Sequence, residues 1–290
     1  MESKLEEAQT KFSRGTKLVA DISKPGIFNS IRKLFIDKET IIREGMELIS
    51  ESAELFKIAR KYDDAILAYM EAAKLKIQQE DSDAPTSYLN AALMAKLAGR
   101  DNTAYIESAV DMYIRSGRTL QAGRQMMNIA TDYDNAESID SAIIYYTKAI
   151  DLFQLADSAS DVRKATIKLA HLVEPDKAMV LFEKVADDMI NGISKYSAKE
   201  YYFKACLCRL LVDQHDTTIC LNRYQQSFSG FYDSREARFV GELCKAIENS
   251  SIDDFISAVT EFDKVSPLDK WYTSILCKIK KLVNVEESLL

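Results

Sequence analysis

The clearest pattern along the chain is a helical repeat. Four similar nine-residue segments start at Ala65, Asn102, Ala142 and Ala178, which are 37, 40 and 36 residues apart. Each has a large apolar residue at its fifth place: Tyr69, Ile106, Tyr146 and Phe182. Each also has a small or β-branched residue three places further on: Ala72, Ala109, Ala149 and Val185. This spacing predicts one buried helix face per repeat, with a small residue where a neighbouring helix approaches.

A second apolar-periodic run precedes each of these segments. Two helices in each period of about 36 to 40 residues are typical of tetratricopeptide-like proteins, in which stacked hairpins share a continuous core. The pattern therefore predicts an all-α, tetratricopeptide-like stack of antiparallel helical hairpins, a twisted solenoid. The strict signature of Trp, Leu-Gly and Pro is missing, so the repeat is divergent.

Beyond about residue 210 the repeat fades, but helical periodicity continues to the end of the chain. We interpret this last part as a helical bundle that caps the solenoid, with Trp271 as a core anchor. The expected segments are 1–40, an N-terminal helix with a basic and apolar loop; 41–210, the hairpin repeats; and 211–290, an acidic bundle with a tail. The last segment holds 13 acidic and nine basic residues, and the first holds six acidic and eight basic ones.

Composition excludes several classes of protein. The 290 residues are 47% hydrophobic and 29% charged, with only nine Gly and four Pro, which favours long helices over a sheet-rich fold. The net charge of -7 argues against binding to nucleic acid, since neutralising phosphates requires a basic surface. The N-terminal sequence lacks an apolar signal-peptide core and no stretch is apolar enough to span a membrane, so we expect a cytoplasmic protein.

Motifs for catalysis and cofactor binding are not found in the sequence. No Gly-Lys dipeptide occurs, so a P-loop cannot be written, and glycine-rich dinucleotide, nucleophile-elbow and zinc-protease motifs are also missing. The five cysteines lie in apolar helical runs and are expected to be buried free thiols, with Cys206 and Cys208 on opposite sides of one helix. We expect no metal, no cofactor and no enzymatic activity.

Several segments resemble a known family. They are KYSAKEYYFKACLC from Lys195, FYDSREARF from Phe231, SPLDKWYTSILCKIKK from Ser266 and the closing EESLL. Together they are similar to the soluble NSF attachment proteins of the alpha type, with the gamma type as a more distant match. The resemblance implies a sheet of helical hairpins capped by a bundle. It also implies a non-enzymatic adaptor in vesicle trafficking, several copies of which bind one SNARE complex and recruit and stimulate the hexameric AAA+ ATPase N-ethylmaleimide-sensitive factor.

The resemblance also implies a basic stripe that faces the acidic four-helix SNARE complex. The positions that match the family's SNARE-facing residues are Arg118, Arg124, Lys164, Lys168, Tyr196 and Lys199. Arg124 replaces a family Lys. Arg124 and Lys164 are 40 residues apart, one repeat, and Lys164 and Lys168 share a helix face. With 38 basic residues in the chain, such pairs also arise without function.

A second site is the segment 17–38, which carries five basic and two acidic residues among many apolar ones, with a loop expected at Pro25-Gly26. An apolar tip framed by cations suits shallow insertion beside anionic lipid headgroups. The expected membrane contacts, which would make the protein peripherally membrane-associated, are Ile27, Phe28, Arg32 and Lys33. Leu34 and Phe35 are expected to pack. The family's paired-Phe motif is not cleanly reproduced, and packing of the whole segment is the alternative.

A third site is the acidic end, which by resemblance meets the ATPase. The residues expected to bind it are Asp213, Glu248, Glu286, Glu287 and Leu289. Lys245 stands where the family has an acid. An ordinary solvated acidic surface is the alternative. For the whole chain, the alternatives are a gamma-type relative or another tetratricopeptide-like scaffold for a helical or peptide partner, and an enzyme with a cleft between hairpins.

Overall fold

The computed structural model describes residues 2–22, 37–190, 192 and 195–283, and within these ranges it contains helices and no strand. The predicted all-α stack of hairpins is confirmed. The chain divides into two compact units, residues 1–131 and 132–290, and the division falls inside a helix. The predicted functional segments 1–40, 41–210 and 211–290 stay predictions.

Among the described residues, six helices begin in the N-terminal unit: α1 (Glu2–Ile22), α2 (Lys38–Ile58), α3 (Tyr62–Gln78), α4 (Ala84–Leu97), α5 (Thr103–Arg115) and α6 (Thr119–Asn135). The helix α6 crosses the division between the units. From α1 to α5, each helix packs on the next one in the sequence. Short connections from α2 to α5 make these neighbours antiparallel, as a solenoid of hairpins requires.

The contact between α1 and α2 depends on two glycines. A Cβ atom on Gly15 would lie 2.8 Å from both the carbonyl oxygen of Gly45 and a side-chain carbon of Ile49, closer than real Cβ contacts. The backbones of the two helices therefore meet at a distance that no larger residue allows. This close approach buries Ile49 completely and packs α1 against the first hairpin.

The C-terminal unit continues with hairpins and ends in a bundle. Its helices are α7 (Ile139–Leu155), α8 (Ala159–Ala170), α9 (Pro175–Ile190), a short 3-10 helix (Lys195–Ser197), α10 (Ala198–Leu210), α11 (Gln214–Ser227), α12 (Ser229–Tyr232), α13 (Arg235–Glu248), α14 (Ile252–Val265) and α15 (Lys270–Val283). Helix α10 lies at the centre of the bundle, where its Tyr202 and Phe203 are buried against rings from α11 to α15.

The repeat predicted from the sequence is confirmed residue by residue. Its large anchors are all buried: Tyr69 and Ile106 in the N-terminal unit, Tyr146 and Phe182 in the C-terminal unit. The small residues that follow them are buried too: Ala72, Ala109, Ala149 and Val185. The ring of Tyr69 is buried, but its hydroxyl group donates a hydrogen bond to the carboxylate of Glu54 at 2.5 Å, so the polar atom has a partner.

Left-handed residues end several helices. Gly99 and Gly117, which follow α4 and α5, have φ of 69° and 73°. Other turns place a residue with a side chain in the same conformation: Arg60, Glu80, Glu137, Asp157 and Ser250. These five positions carry the local strain that a glycine would avoid.

The cysteine prediction was right for four thiols and wrong for one. Burial is observed for Cys206, Cys208, Cys220 and Cys244, whereas Cys277 is exposed. In α15 the buried face is formed by Ile275, Leu276, Ile279 and Val283. Residues two places apart on an α-helix are about 200° apart around its axis. Cys277 therefore points away from Ile279 and into solvent. Trp271 is half-buried and packs edge-on against Phe182, a contact that fits the predicted anchor role.

Candidate binding surfaces

The predicted stripe residue Arg118 is engaged within the protein. It lies in the turn before α6, half-buried, and its guanidinium donates hydrogen bonds to the carbonyl of Ser82 at 2.5 Å and to the hydroxyl of Ser116 at 3.0 Å. It also lies 4.8 Å from the ring centre of Tyr113. Arg118 therefore braces the loop between α3 and α4, and only part of its donor capacity faces solvent.

Arg124, by contrast, is an open cation. It is exposed on α6 and comes directly after Ala122 and Gly123, which lie on the buried face of the helix. Among the residues that the structure describes, it has no ion-pair partner. Its charge is therefore available to a partner molecule.

In the C-terminal unit, Lys164 and Lys168 stand one turn apart on the exposed face of α8. The side chain of Lys164 is 69% exposed, and its Nζ atom lies 3.6 Å from the carboxylate of Asp161. A pair this exposed contributes little to stability, so the lysine can leave it for a stronger partner. The i, i+4 relationship expected from the sequence is observed.

Tyr196 and Lys199 differ in their surroundings. Tyr196 sits on the 3-10 helix with its side chain open, 70% exposed, and the ammonium of Lys195 lies 5.3 Å from its ring centre. Lys199 forms an ion pair of 3.3 Å with Glu236 and so ties α10 to α13. Tyr196 is therefore exposed enough to contact a partner, whereas Lys199 is already engaged in an ion pair within the protein.

The acidic positions in the bundle also have distinct roles. Asp213 is the N-cap of α11, where its carboxylate accepts a hydrogen bond from the backbone N–H of Asp216 at 3.0 Å. Glu248 is exposed in the last turn of α13, one turn after the exposed Lys245. The remaining predicted contacts lie outside the described residues: Ile27, Phe28, Arg32, Lys33, Glu286, Glu287 and Leu289.

The basic character of α15 was missed by the sequence analysis, which treated this end of the chain as acidic. The helix carries four lysines and no acidic residue: Lys270, Lys278, Lys280 and Lys281. Within the described ranges, none of them forms an ion pair. The signal was present in the run CKIKK, but the net acidity of residues 211–290 concealed it.

A buried ion cluster joins α9, α10 and α11. The guanidinium of Arg209, which is almost fully buried, is bound by the carboxylates of Glu183 and Asp216, and Arg223 also pairs with Glu183. Burial opposes the charge of Arg209, but the hydrogen bond that the guanidinium donates to Asp216, together with the surrounding acidic groups, raises its pKa. The ion pairs of the cluster are formed among its own members and hold the three helices together.

The comparisons with known proteins bear on the whole of this architecture. The profile of the family described as "Soluble NSF attachment protein, SNAP" matches residues 8–284. The chain belongs to this family. A bovine beta-soluble NSF attachment protein is 34% identical over 253 residues, which cover 84% of this chain and 85% of that protein. The human alpha-soluble NSF attachment protein is 31% identical over 254 residues, 85% of this chain and 86% of its own.

The comparisons also found more distant similarities. An alpha-soluble NSF attachment protein of grapevine is 27% identical and covers 84% of this chain and 87% of its own. Among solved structures, that of BtubC from P. vanneervenii is 17% identical, covers 78% of this chain and 93% of its own, and has a TM-score of 0.38. Relatives with both alpha and beta names match this member of the family at comparable identity.

Across its described residues, this family member has no group of three or more His, Cys, Asp or Glu side chains arranged to hold a metal. Burial raises the pKa of the thiols of Cys206, Cys208, Cys220 and Cys244, which keeps them protonated and unreactive at neutral pH. No described helix has the length and apolar character needed to cross a membrane.

Proposed function

We propose that this protein is a non-enzymatic adaptor that binds SNARE complexes and recruits and stimulates the AAA+ ATPase N-ethylmaleimide-sensitive factor. The observation that carries the proposal is the family match over residues 8–284, together with relatives that are named NSF attachment proteins over most of both chains. In such an adaptor the protein supplies surfaces, and the ATPase supplies the energy for disassembly.

The SNARE-binding surface is proposed to use the open cations Arg124, Lys164 and Lys168, with Tyr196 as an exposed aromatic contact. Exposed charges of one sign attract an acidic coiled coil and raise the rate of encounter. Arg118 and Lys199 are assigned lesser direct roles, because each already binds a group within the protein.

The two ends of the chain are proposed to serve the other partners. The segment around Ile27, Phe28, Arg32 and Lys33 would contact anionic membranes weakly and keep a cytoplasmic protein at the membrane periphery. The acidic positions Asp213, Glu248, Glu286 and Glu287, with Leu289, would meet the ATPase. Several copies on one SNARE complex would combine these weak contacts into tight binding through avidity.

The proposal is tested by reconstitution. A purified SNARE complex is mixed with this protein, the ATPase and ATP, and disassembly is followed by loss of fluorescence transfer between labelled SNARE chains. We expect disassembly that requires the protein and ATP together. Matched controls omit one component or replace ATP with a non-hydrolysable analogue. Failure of the protein to bind SNARE complexes would favour a scaffold for another helical partner.

A further inference from the structure

An open groove lies between α14 and α15 in the C-terminal unit. Its volume is about 320 Å3. Apolar side chains from both helices and from the turn between them line it: Phe255, Val259, Leu268 and Leu276. Ile256 at its edge is 44% exposed, although it is a large apolar residue. A concave apolar surface left open to water is typical of a docking site for apolar side chains.

The groove is held open by the turn that joins its two helices. The carboxylate of Asp263 accepts a hydrogen bond from the backbone N–H of Leu268 at 2.8 Å, and the carboxylate of Asp269 accepts from the N–H of Trp271, also at 2.8 Å. These bonds fix where α14 ends and α15 begins. The apolar floor is therefore preformed and needs no rearrangement to receive a ligand.

The charge around the groove selects the kind of ligand. Lys280 lines it, and Lys281 follows Lys280 on the same helix, one turn after the lining residue Cys277. These lysines have no ionic partner among the residues described, while the carboxylate of Asp263 is already bound to a backbone N–H. An apolar segment that carries acidic residues complements both the floor and the rim.

A segment of this chain has the required composition and starts next to the groove. Residues 284–290 read NVEESLL, with two glutamates followed by two leucines, and come directly after Val283 at the end of α15. Leu276 lies about 10 Å back along the helix from Val283. Six extended residues span up to about 20 Å, so Leu289 is within reach of the groove. A short tether also gives the segment an effective concentration on the order of millimolar.

We propose that residues 284–290 dock into the α14–α15 groove of their own chain. Leu289 and Leu290 would cover the apolar floor, and Glu286 and Glu287 would lie against Lys280 and Lys281. The evidence for this docking is the groove and the composition of the tail, and does not depend on the proposed function. Its consequence rests on the proposed function: the ATPase would compete with the groove for the same leucines, so the stimulating tail would be held back until the ATPase is bound.

Cys277 makes this docking measurable, because it lines the groove and is exposed while the other four cysteines are buried. A Ser288→Cys variant places a second thiol beside the two leucines. Oxidation at low protein concentration, with no SNARE complex or ATPase present, should form an intramolecular disulfide between residues 277 and 288. This requires Cα atoms less than about 7 Å apart. A Ser288→Cys, Cys277→Ser variant identifies the bond.

The matched control keeps the tether and removes the anchor. In Ser288→Cys with Leu289→Asp and Leu290→Asp, the thiol has the same reach but no apolar group to dock. We expect its disulfide to form roughly tenfold more slowly, the ratio expected if the docked form is populated about ten to one. Ile256→Glu at the groove edge should slow the reaction in the same way. Equal rates in all three variants would overturn the proposal and leave the groove to a partner protein.

Discussion

The ammonium group of Lys204 lies 3.2 Å from Nε2 of His171, inside a ring of aromatic side chains. The other imidazole nitrogen, Nδ1, lies 2.7 Å from the carbonyl oxygen of Ile167. A carbonyl accepts only, so Nδ1 carries the proton and donates, and Nε2 accepts from Lys204. Four rings lie 5.4 to 5.8 Å from the ammonium: those of Phe182, Tyr201, Trp271 and Tyr272. This box joins α8, α9, α10 and α15.

The box makes the stability of the C-terminal unit sensitive to acid. Burial lowers the pKa of His171, with further lowering by the charges of Lys204 and Lys168 and an opposing effect of Asp269. Glu200 pairs with Lys204 at 3.0 Å from the open side. Because the folded pKa lies below the unfolded value of about 6.5, the contribution to stability is complete above that pH and is lost as the pH falls below it.

We expect the melting temperature to fall between pH 7.5 and 5.5, by about 2 to 4 °C for each kcal/mol lost. His171→Gln should flatten this dependence. The chain has only two histidines, and the exposed His215 supplies the matched control. Wild-type pH dependence in His171→Gln, or its loss in His215→Gln, would contradict the assignment. The measurement is thermal unfolding followed by circular dichroism.

Charge reversal tests the basic stripe. Arg124→Glu together with Lys164→Glu should weaken binding to a SNARE complex at least about tenfold, since each reversal turns an attraction into a repulsion. Helical content and melting temperature should stay unchanged, because exposed charges contribute little to folding. Wild-type binding should also weaken as salt is added.

The matched control for the stripe is Lys177→Glu, which reverses an exposed charge on α9. It should bind almost as wild type does. Binding is measured by fluorescence anisotropy at low ionic strength, and normal affinity of the double reversal there would show that the stripe is assigned to the wrong surface.

The loop prediction concerns Ile27 and Phe28. Changing both to Ser should reduce flotation with anionic liposomes and slow the disassembly of membrane-anchored SNAREs, with little effect on soluble SNARE fragments. Each apolar side chain that enters an apolar phase contributes about 1.5 to 3 kcal/mol, so the loss of two is measurable. A lower melting temperature of the double variant would instead indicate that the two residues pack inside the protein.

The tail prediction concerns Leu289. Leu289→Ala should keep SNARE binding and melting temperature but lower stimulated ATP hydrolysis and disassembly several-fold, because an anchoring leucine fixes the geometry of docking. Leu290→Ala is the matched control and should have a smaller effect. The readout is phosphate release by the ATPase with SNARE complex present. Full stimulation by a chain truncated after Glu287 would rule out a role for these leucines.

The hairpin repeat could be predicted because helix periodicity is a local property. Tyr146 and Phe182 lie on the apolar face of their helices, and the spacing of apolar residues in the sequence is enough to predict that this face is buried. Partners distant in sequence could not be predicted. Arg118 binds the carbonyl of Ser82, and Lys199 binds Glu236, so tertiary contacts divide the matched cations into open and engaged ones. Cys277 was misjudged because an apolar run was read as buried, without regard to the phase of its helix.

The packing of consecutive helices in the N-terminal unit has a consequence for biosynthesis. Contacts between sequence neighbours close short loops, so folding is fast and can begin before the chain is complete. The α1–α2 pair ends at residue 58, and the remaining 232 of the 290 residues follow it. Protein synthesis adds about 5 to 20 residues per second, so the α1–α2 pair is complete on the order of 10 to 50 s before the last helix is made. The N-terminal unit therefore grows one helix at a time, each new helix covering the apolar face that the previous one leaves open.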